Sequence, residues 1–190
     1  MSPKSELQFE EIRAEKIGLI KNSALKLFAE NGYESTSIAQ IAKDAGISKG
    51  LMYNYFSSKE DLLKEILIGG LLNFTNLLQV ENIDKIKKEE IEFFITENIS
   101  LLKQKPEFYK LYFSLAFQPK VFKALEKEIM EIFSEIINVL LNYYTQKGEA
   151  QPYVKARFLF AIFDGIGIHY ISDLENFPID EVGDMILEML

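Results

Sequence analysis

An all-α chain of about nine helices is the fold that this sequence predicts. Three observations carry it. Apolar residues recur at three- and four-residue steps with no sustained period-2 alternation. Pro and Gly fall at the breaks between those runs, and cap signals open or close most of them. With 190 residues and 48% hydrophobic content, one domain or two small ones can bury a real core.

The elements follow in order. A first helix is predicted over about 11–30, where Ile17, Ile20, Ala24, Leu27 and Phe28 recur at helical spacing and Asn31-Gly32 supplies the stop. Ser37 and Gln40 form a capping box for a short second helix, whose inward stripe is Ile38, Ile41 and Ala42 and whose end is Gly46. Ser48 caps a third helix, expected to reach Phe56. Ser58-Lys59-Glu60-Asp61 opens a long fourth helix toward Leu78. Further helices are expected over about 84–104, 106–117, 119–147, 152–173 and 178–190, with Pro106, Pro152 and Pro178 near three of the starts and Lys147-Gly148 as a stop.

Residues 36–60, TSIAQIAKDAGISKGLMYNYFSSKE, are the most informative stretch. Two short helices joined by a tight Gly-containing turn have the layout of a helix-turn-helix, whose second helix enters a DNA major groove. At 100° per residue, Met52 and Phe56 share the core side of the 48–56 helix. Gly50 and Asn54 then face outward, with Leu51 and Tyr53 on the flanks. Gly50 allows close backbone approach, Asn54 can make a bidentate contact to adenine, and Leu51 can pack on a thymine methyl. Ser48, Lys49, Tyr53, Tyr55 and Lys59 offer donors to phosphate oxygens, and Thr36 and Ser37 start a helix whose free N–H groups suit a phosphate. Taken singly, the tyrosines read equally well as packing aromatics and the lysines as solvated charges. A short helix with such faces is nevertheless poorly suited to building a core alone.

Charge distribution agrees with that reading. The net charge is −8, yet acidic and basic residues balance over residues 1–60, so the excess lies downstream. Within 36–59, Lys43, Lys49 and Lys59 stand against Asp44 alone. The locally basic stretch suits nucleic acid, and the acidic remainder would repel it.

The stretches ALKLFAENGYESTSIAQIAKDAGISKG and LMYNYFSSKEDLL resemble the N-terminal DNA-binding domain of TetR/AcrR-family transcriptional regulators. The resemblance covers about a quarter of the chain. It implies a three-helix DNA-binding domain over residues 1–57 and an effector-binding and dimerisation domain over 58–190. It implies phosphate contacts from Thr36, Ser48, Lys49, Tyr53, Tyr55 and Lys59, and base reading by Asn54. Leu51 departs from the family's frequent Thr or small residue, which favours an apolar contact over a polar one. The function implied is a ligand-responsive repressor that binds a palindromic DNA operator as a homodimer. The competing readings are a helical ligand-binding or scaffolding dimer that has lost DNA reading, and an all-helical enzyme.

Beyond residue 70 the aromatics concentrate at 93–94, 108–117 and 157–163. Most read as core. The family resemblance adds an effector pocket there, with Phe74, Phe94, Tyr109, Tyr112, Phe113 and Phe117 as candidate lining for a small apolar, neutral or cationic effector. Asp164, in an apolar run, needs a partner: a cationic effector or a structural hydrogen bond. In the last two helices, Phe158, Ile162, Gly165 and His169 recur at helical steps, as do Ile179, Val182, Ile186 and Met189. The family resemblance implies a four-helix interface between two copies, which these stripes suit, with Phe158, Ile162, Gly165, His169, Val182, Ile186 and Met189 as its expected residues.

Several classes are disfavoured. Without Cys and with one His, thiolate chemistry, metal sites and His-based nucleophilic catalysis have little support, and no cofactor is expected. The opening MSPKSELQFEE lacks the apolar run of a secretory signal, and no uncharged run reaches the roughly 18 residues a span needs. A cytoplasmic protein without a membrane partner is the expectation.

Overall fold

The computed structural model describes residues 6–190, so residues 1–5, the start of the opening segment, lie outside it. Nine helices and no strand are present among the described residues. They are α1 (Glu6–Asn31), α2 (Ile38–Asp44), α3 (Lys49–Met52), α4 (Lys59–Thr75), α5 (Lys88–Gln104), α6 (Pro106–Ala116), α7 (Pro119–Gln146), α8 (Pro152–Ser172) and α9 (Ile179–Glu188). The prolines open α6, α7 and α8, where a missing N–H costs nothing. The fourth and fifth helices are shorter than expected, because residues 76–87 form turns and loop between them.

The chain divides into two compact units. The first takes residues up to Gly69 together with Ser114–Ala124, and the second takes Gly70–Phe113 with Leu125–Leu190. This division differs from a cut at residue 57. The boundary falls inside α4, and the α6–α7 corner joins the first unit.

In the first unit, Ile20, Ala24, Leu25 and Phe28 of α1 are fully buried with Ile41 and Ala42 of α2, Met52 of α3, and Leu62, Leu63, Ile66 and Leu67 of α4. Phe28 meets Tyr33 edge-on, ring centroids 5.1 Å apart. Each large apolar side chain removed from water contributes about 1.5–3 kcal/mol. That burial holds a domain whose α2 and α3 are too short to be stable alone.

The second unit is built on α5. Ile91, Phe94, Ile95 and Ile99 pack with Ile136, Leu140, Tyr143 and Tyr144 of α7, Leu159 and Ile166 of α8, and Ile179 and Ile186 of α9. A smaller cluster joins Leu102, Tyr109 and Ile171 to Phe74, Phe108, Phe113 and Tyr170. Gly70 is packed so tightly that an added Cβ would lie 2.4 Å from the Tyr112 ring. None of the described helices is long and apolar enough to cross a membrane.

Candidate nucleic-acid interface

The turn between α2 and α3 is fixed at both ends. Ser37 Oγ accepts the Gln40 N–H at 3.3 Å while Gln40 Oε1 accepts the Ser37 N–H at 2.7 Å, a complete capping box. At the other end Gly46, with φ +67°, adopts the left-handed conformation that side chains resist. Its N–H donates to Lys43 O, and Ile47 N–H to Ala42 O. This pair of bonds satisfies the last carbonyls of α2 and reverses the chain within three residues.

Ser48 then caps α3, its Oγ accepting the Leu51 N–H at 3.1 Å. The helix is a single turn, Lys49–Met52, instead of the nine-residue helix expected to end near Phe56. Beyond it the chain tightens: Asn54 and Tyr55 donate to carbonyls three residues back. Phe56 still donates to Met52 O, so Met52 and Phe56 both reach the core. The outward set is Ser48, Lys49, Gly50, Leu51, Tyr53 and Asn54, all exposed, with Tyr55 half-buried beside them. A Cβ at Gly50 would meet nothing within 4 Å, so its place on this surface is open to an incoming group.

Two candidates face inward instead. Thr36 is 2% exposed, and its hydroxyl donates to Leu27 O at 3.1 Å and Gly32 O at 2.9 Å. It closes the end of α1 and does not present its side chain to a phosphate. Lys59 Nζ donates to Tyr33 O at 3.1 Å and Thr36 O at 3.2 Å, and lies 4.3 Å from the centroid of the Tyr33 ring. Its ammonium is committed to clasping the α1–α2 turn. The Tyr33 hydroxyl donates to Glu60 at 3.2 Å, and burial, with the Glu60 charge, holds that phenol protonated well above its ordinary range. Gln118 completes the clasp: its Nε2 donates to Phe28 O at 3.0 Å and its Oε1 accepts the Tyr33 N–H at 3.2 Å.

Arg13 is a residue that sequence reasoning missed. Its guanidinium lies 5.2 Å from the centroid of the Tyr55 ring, placing an exposed cation beside the outward face of the α3 turn. The signal was present as a basic residue on α1, but nothing local pairs residue 13 with residue 55.

With this geometry in place, similarity to known proteins becomes informative. Residues 20–66, which span the last part of α1 through the first half of α4, match the profile of the bacterial regulatory proteins of the tetR family. Over those residues the chain is similar to the TetR family of transcriptional regulators. The HTH-type transcriptional regulator YuxN of Bacillus subtilis is 34% identical over 162 residues, covering 83% of this chain and 54% of YuxN, so the chain spans about half that relative's length. Among solved structures, FadR from Bacillus subtilis in complex with stearoyl-CoA aligns with a TM-score of 0.68 at 23% identity, covering 90% of this chain and 95% of that one. NalD, the secondary repressor of the MexAB-OprM multidrug efflux pump in Pseudomonas aeruginosa, aligns with a TM-score of 0.70 at 21% identity, covering 93% and 94%. These similar proteins are transcriptional regulators.

The expected effector residues do not form one site. Phe94 lines a small apolar cavity of about 10 Å³ with Ile91, Ile95, Leu140, Leu159, Phe160 and Phe163. Phe74, Tyr109 and Phe113 belong to the separate aromatic cluster, with Phe74 and Tyr109 rings 4.9 Å apart. Tyr112 is buried between Phe108 and Phe113, its phenol pushed up by burial. Phe117 is 61% exposed and belongs to the first unit, so it lines neither space. Asp164 also lies on an accessible face of α8, although surrounding protein desolvates its carboxyl and pushes its pKa up to about 6.

Of the interface candidates, Phe158, His169 and Met189 are exposed, His169 stacking on Phe177 at 6.1 Å. Gly165 is half-buried, and Ile162 and Val182 pack partly against the core. Ile186 is a correction: at 1% exposure it belongs to the unit's own core. Because α9 is short and must bury one face locally, its outward apolar residue is Met185, 64% exposed.

Proposed function

We propose that this chain is a homodimeric repressor that binds a palindromic operator through the α3 turn and is released by a small apolar effector. It would act in the cytoplasm. The observation that carries the reading is the outward set Lys49, Gly50, Leu51, Tyr53 and Asn54, exposed on a turn whose every flank is capped. A turn capped by Ser37 and Ser48 that leaves Lys49, Tyr53 and Asn54 exposed is prepared for an external partner. Asn54 would read a base edge and Leu51 a thymine methyl. Ser37, Ser48, Lys49, Tyr53 and Tyr55, with Arg13 beside them, would hold phosphates.

Dimerisation is supported by α8, which is apolar on nearly every side and leaves Val154, Phe158 and Ile168 exposed, as α9 leaves Met185 and Met189. Two copies related by a two-fold axis would place two reading turns about 34 Å apart, or a multiple of it. The aromatic second unit and the complex of FadR with stearoyl-CoA favour an effector with a large apolar part, and the repressor role of NalD favours negative control.

The test is a mass measurement in solution combined with protection of duplex fragments from around the gene at low salt. A dimer that protects two symmetric half-sites, with affinity falling steeply as salt rises, is the expected result. A dimer that binds no duplex would favour the scaffolding or ligand-binding reading and end this one.

A further inference from the structure

Arg13 stands where the α1 pattern would place a core residue. It lies seven residues before Ile20 and eleven before Ala24, so at 100° per residue both point within about 20° of its own direction. Ile20 and Ala24 are fully buried, yet Arg13 is exposed. The buried face of α1 therefore runs out towards its N-terminus, and the side chain that closes it is a cation. What that cation meets is the Tyr55 ring, with the guanidinium carbon 5.2 Å from the ring centroid.

The helix offers a different partner. Glu10 precedes Arg13 by three residues, a spacing at which opposite charges pair on a helix surface. That pair is not made: among the described residues no carboxylate forms an ion pair with Arg13. A guanidinium held by an aromatic face keeps its N–H donors for an anion, whereas one paired with Glu10 would have spent them. The ring also restrains a long side chain, which lowers the entropy lost when an anion arrives. Tyr55 is itself held in place, half-buried, its N–H donating to Met52 O at 3.0 Å just after α3. Tyr53 and Asn54 before it are exposed, so the cation is seated at the edge of the same outward face.

We propose that the Tyr55 ring is a positioning residue, a seat that preorganises Arg13 to neutralise one backbone phosphate at the edge of each half-site. The inference rests on the DNA-binding reading above and extends that interface from the α3 turn onto α1. The ring face carries this role and the Tyr55 hydroxyl does not. A neutral side chain thereby controls a charged contact, and that combination has its own signature in the salt dependence of binding.

The experiment titrates operator and scrambled duplexes with the full-length protein between roughly 50 and 200 mM salt. Arg13→Ala should lower the salt slope by about 0.9 for each half-site. The loss should be roughly fifteenfold per half-site at the low end and roughly fourfold at the high end, on both duplexes alike. Tyr55→Met, which occupies the space of the ring without its face, should lower the slope by the same amount, although no charge has been removed. Tyr55→Phe keeps the ring and should keep the slope. Arg13→Ala combined with Tyr55→Met should fall no lower than either alone. Circular dichroism checks that each variant is folded, and Tyr55→Leu serves as a second ring-free variant. Four results would each overturn the proposal while leaving DNA binding intact: a slope untouched by Arg13→Ala, a parental slope in the folded ring-free variants, a reduced slope in Tyr55→Phe, or additive losses in the double variant. A loss confined to the operator would overturn it too, since Arg13 would then read sequence and not phosphate. A parent that binds no duplex would overturn the DNA-binding reading itself and this inference with it.

Discussion

Replacing Thr36 by valine tests most sharply whether the helix-turn-helix is held from within. The substitution keeps the volume and β-branching of a side chain that is 2% exposed, so it opens no cavity. It removes one hydroxyl, which donates to Leu27 O at 3.1 Å and Gly32 O at 2.9 Å, both at the C-terminal end of α1. Leaving buried carbonyls without that donor costs about 1–3 kcal/mol. For a chain of this size the melting temperature should fall by roughly 4–8 °C for 2 kcal/mol. Thr36→Ser, which retains the hydroxyl, should recover part of the loss. Thermal unfolding followed by circular dichroism gives the stability, and titration with several duplexes gives the affinity. The affinity of folded Thr36→Val for every duplex should be unchanged. An unchanged melting temperature, accompanied by an equal loss of affinity on all duplexes, would show that the hydroxyl serves a phosphate and refute the reasoning.

Three other outcomes follow from the packing. Lys59→Met keeps the aliphatic stem but removes the ammonium from Tyr33 O and Thr36 O, so urea unfolding should show a loss on the order of 2 kcal/mol. Gly70→Ala places a Cβ 2.4 Å from the Tyr112 ring and should cost about 1–3 kcal/mol, while Gly69→Ala, whose nearest neighbour would be Lys21 Nζ at 3.9 Å, should be neutral or stabilising. Asp164 has a folded pKa of about 6, above its ordinary value near 3.8, so the folded state holds its proton more tightly. Stability should therefore fall as pH rises from about 4 to 6 and level off above, and Asp164→Asn should flatten that part of a pH series of unfolding curves.

Local chemistry made the fold readable. Ser37 with Gln40, Gly46, Ser48 and the prolines at 106 and 152 mark element ends through bonds made within five residues, and the structure contains those bonds or starts. The outward face of the reading turn was readable for the same reason, since Met52 and Phe56 keep one helical turn of separation although α3 proper stops at Met52. Long-range partners were not readable. Lys59 reaches carbonyls more than twenty residues away, so it read as a phosphate contact, and Arg13 meets Tyr55 across the domain, so nothing local singled it out. The phase of α9 misled because Ile186 satisfies two roles in sequence, core and interface, and only the packing of Gly183 against Ile99 shows which face turns inward. Asn98 gave no signal at all, because one polar residue within an apolar repeat reads as a surface position until its neighbours enclose it.

The α3 turn as a reader of bases is the central claim, and Asn54→Ala examines it most directly. Affinity for the operator and for a scrambled duplex of equal length is measured at one salt concentration. The account predicts a loss of about 1–3 kcal/mol on the operator, confined to one base pair in each half-site, with binding to the scrambled duplex unchanged. An equal loss on both duplexes would contradict it.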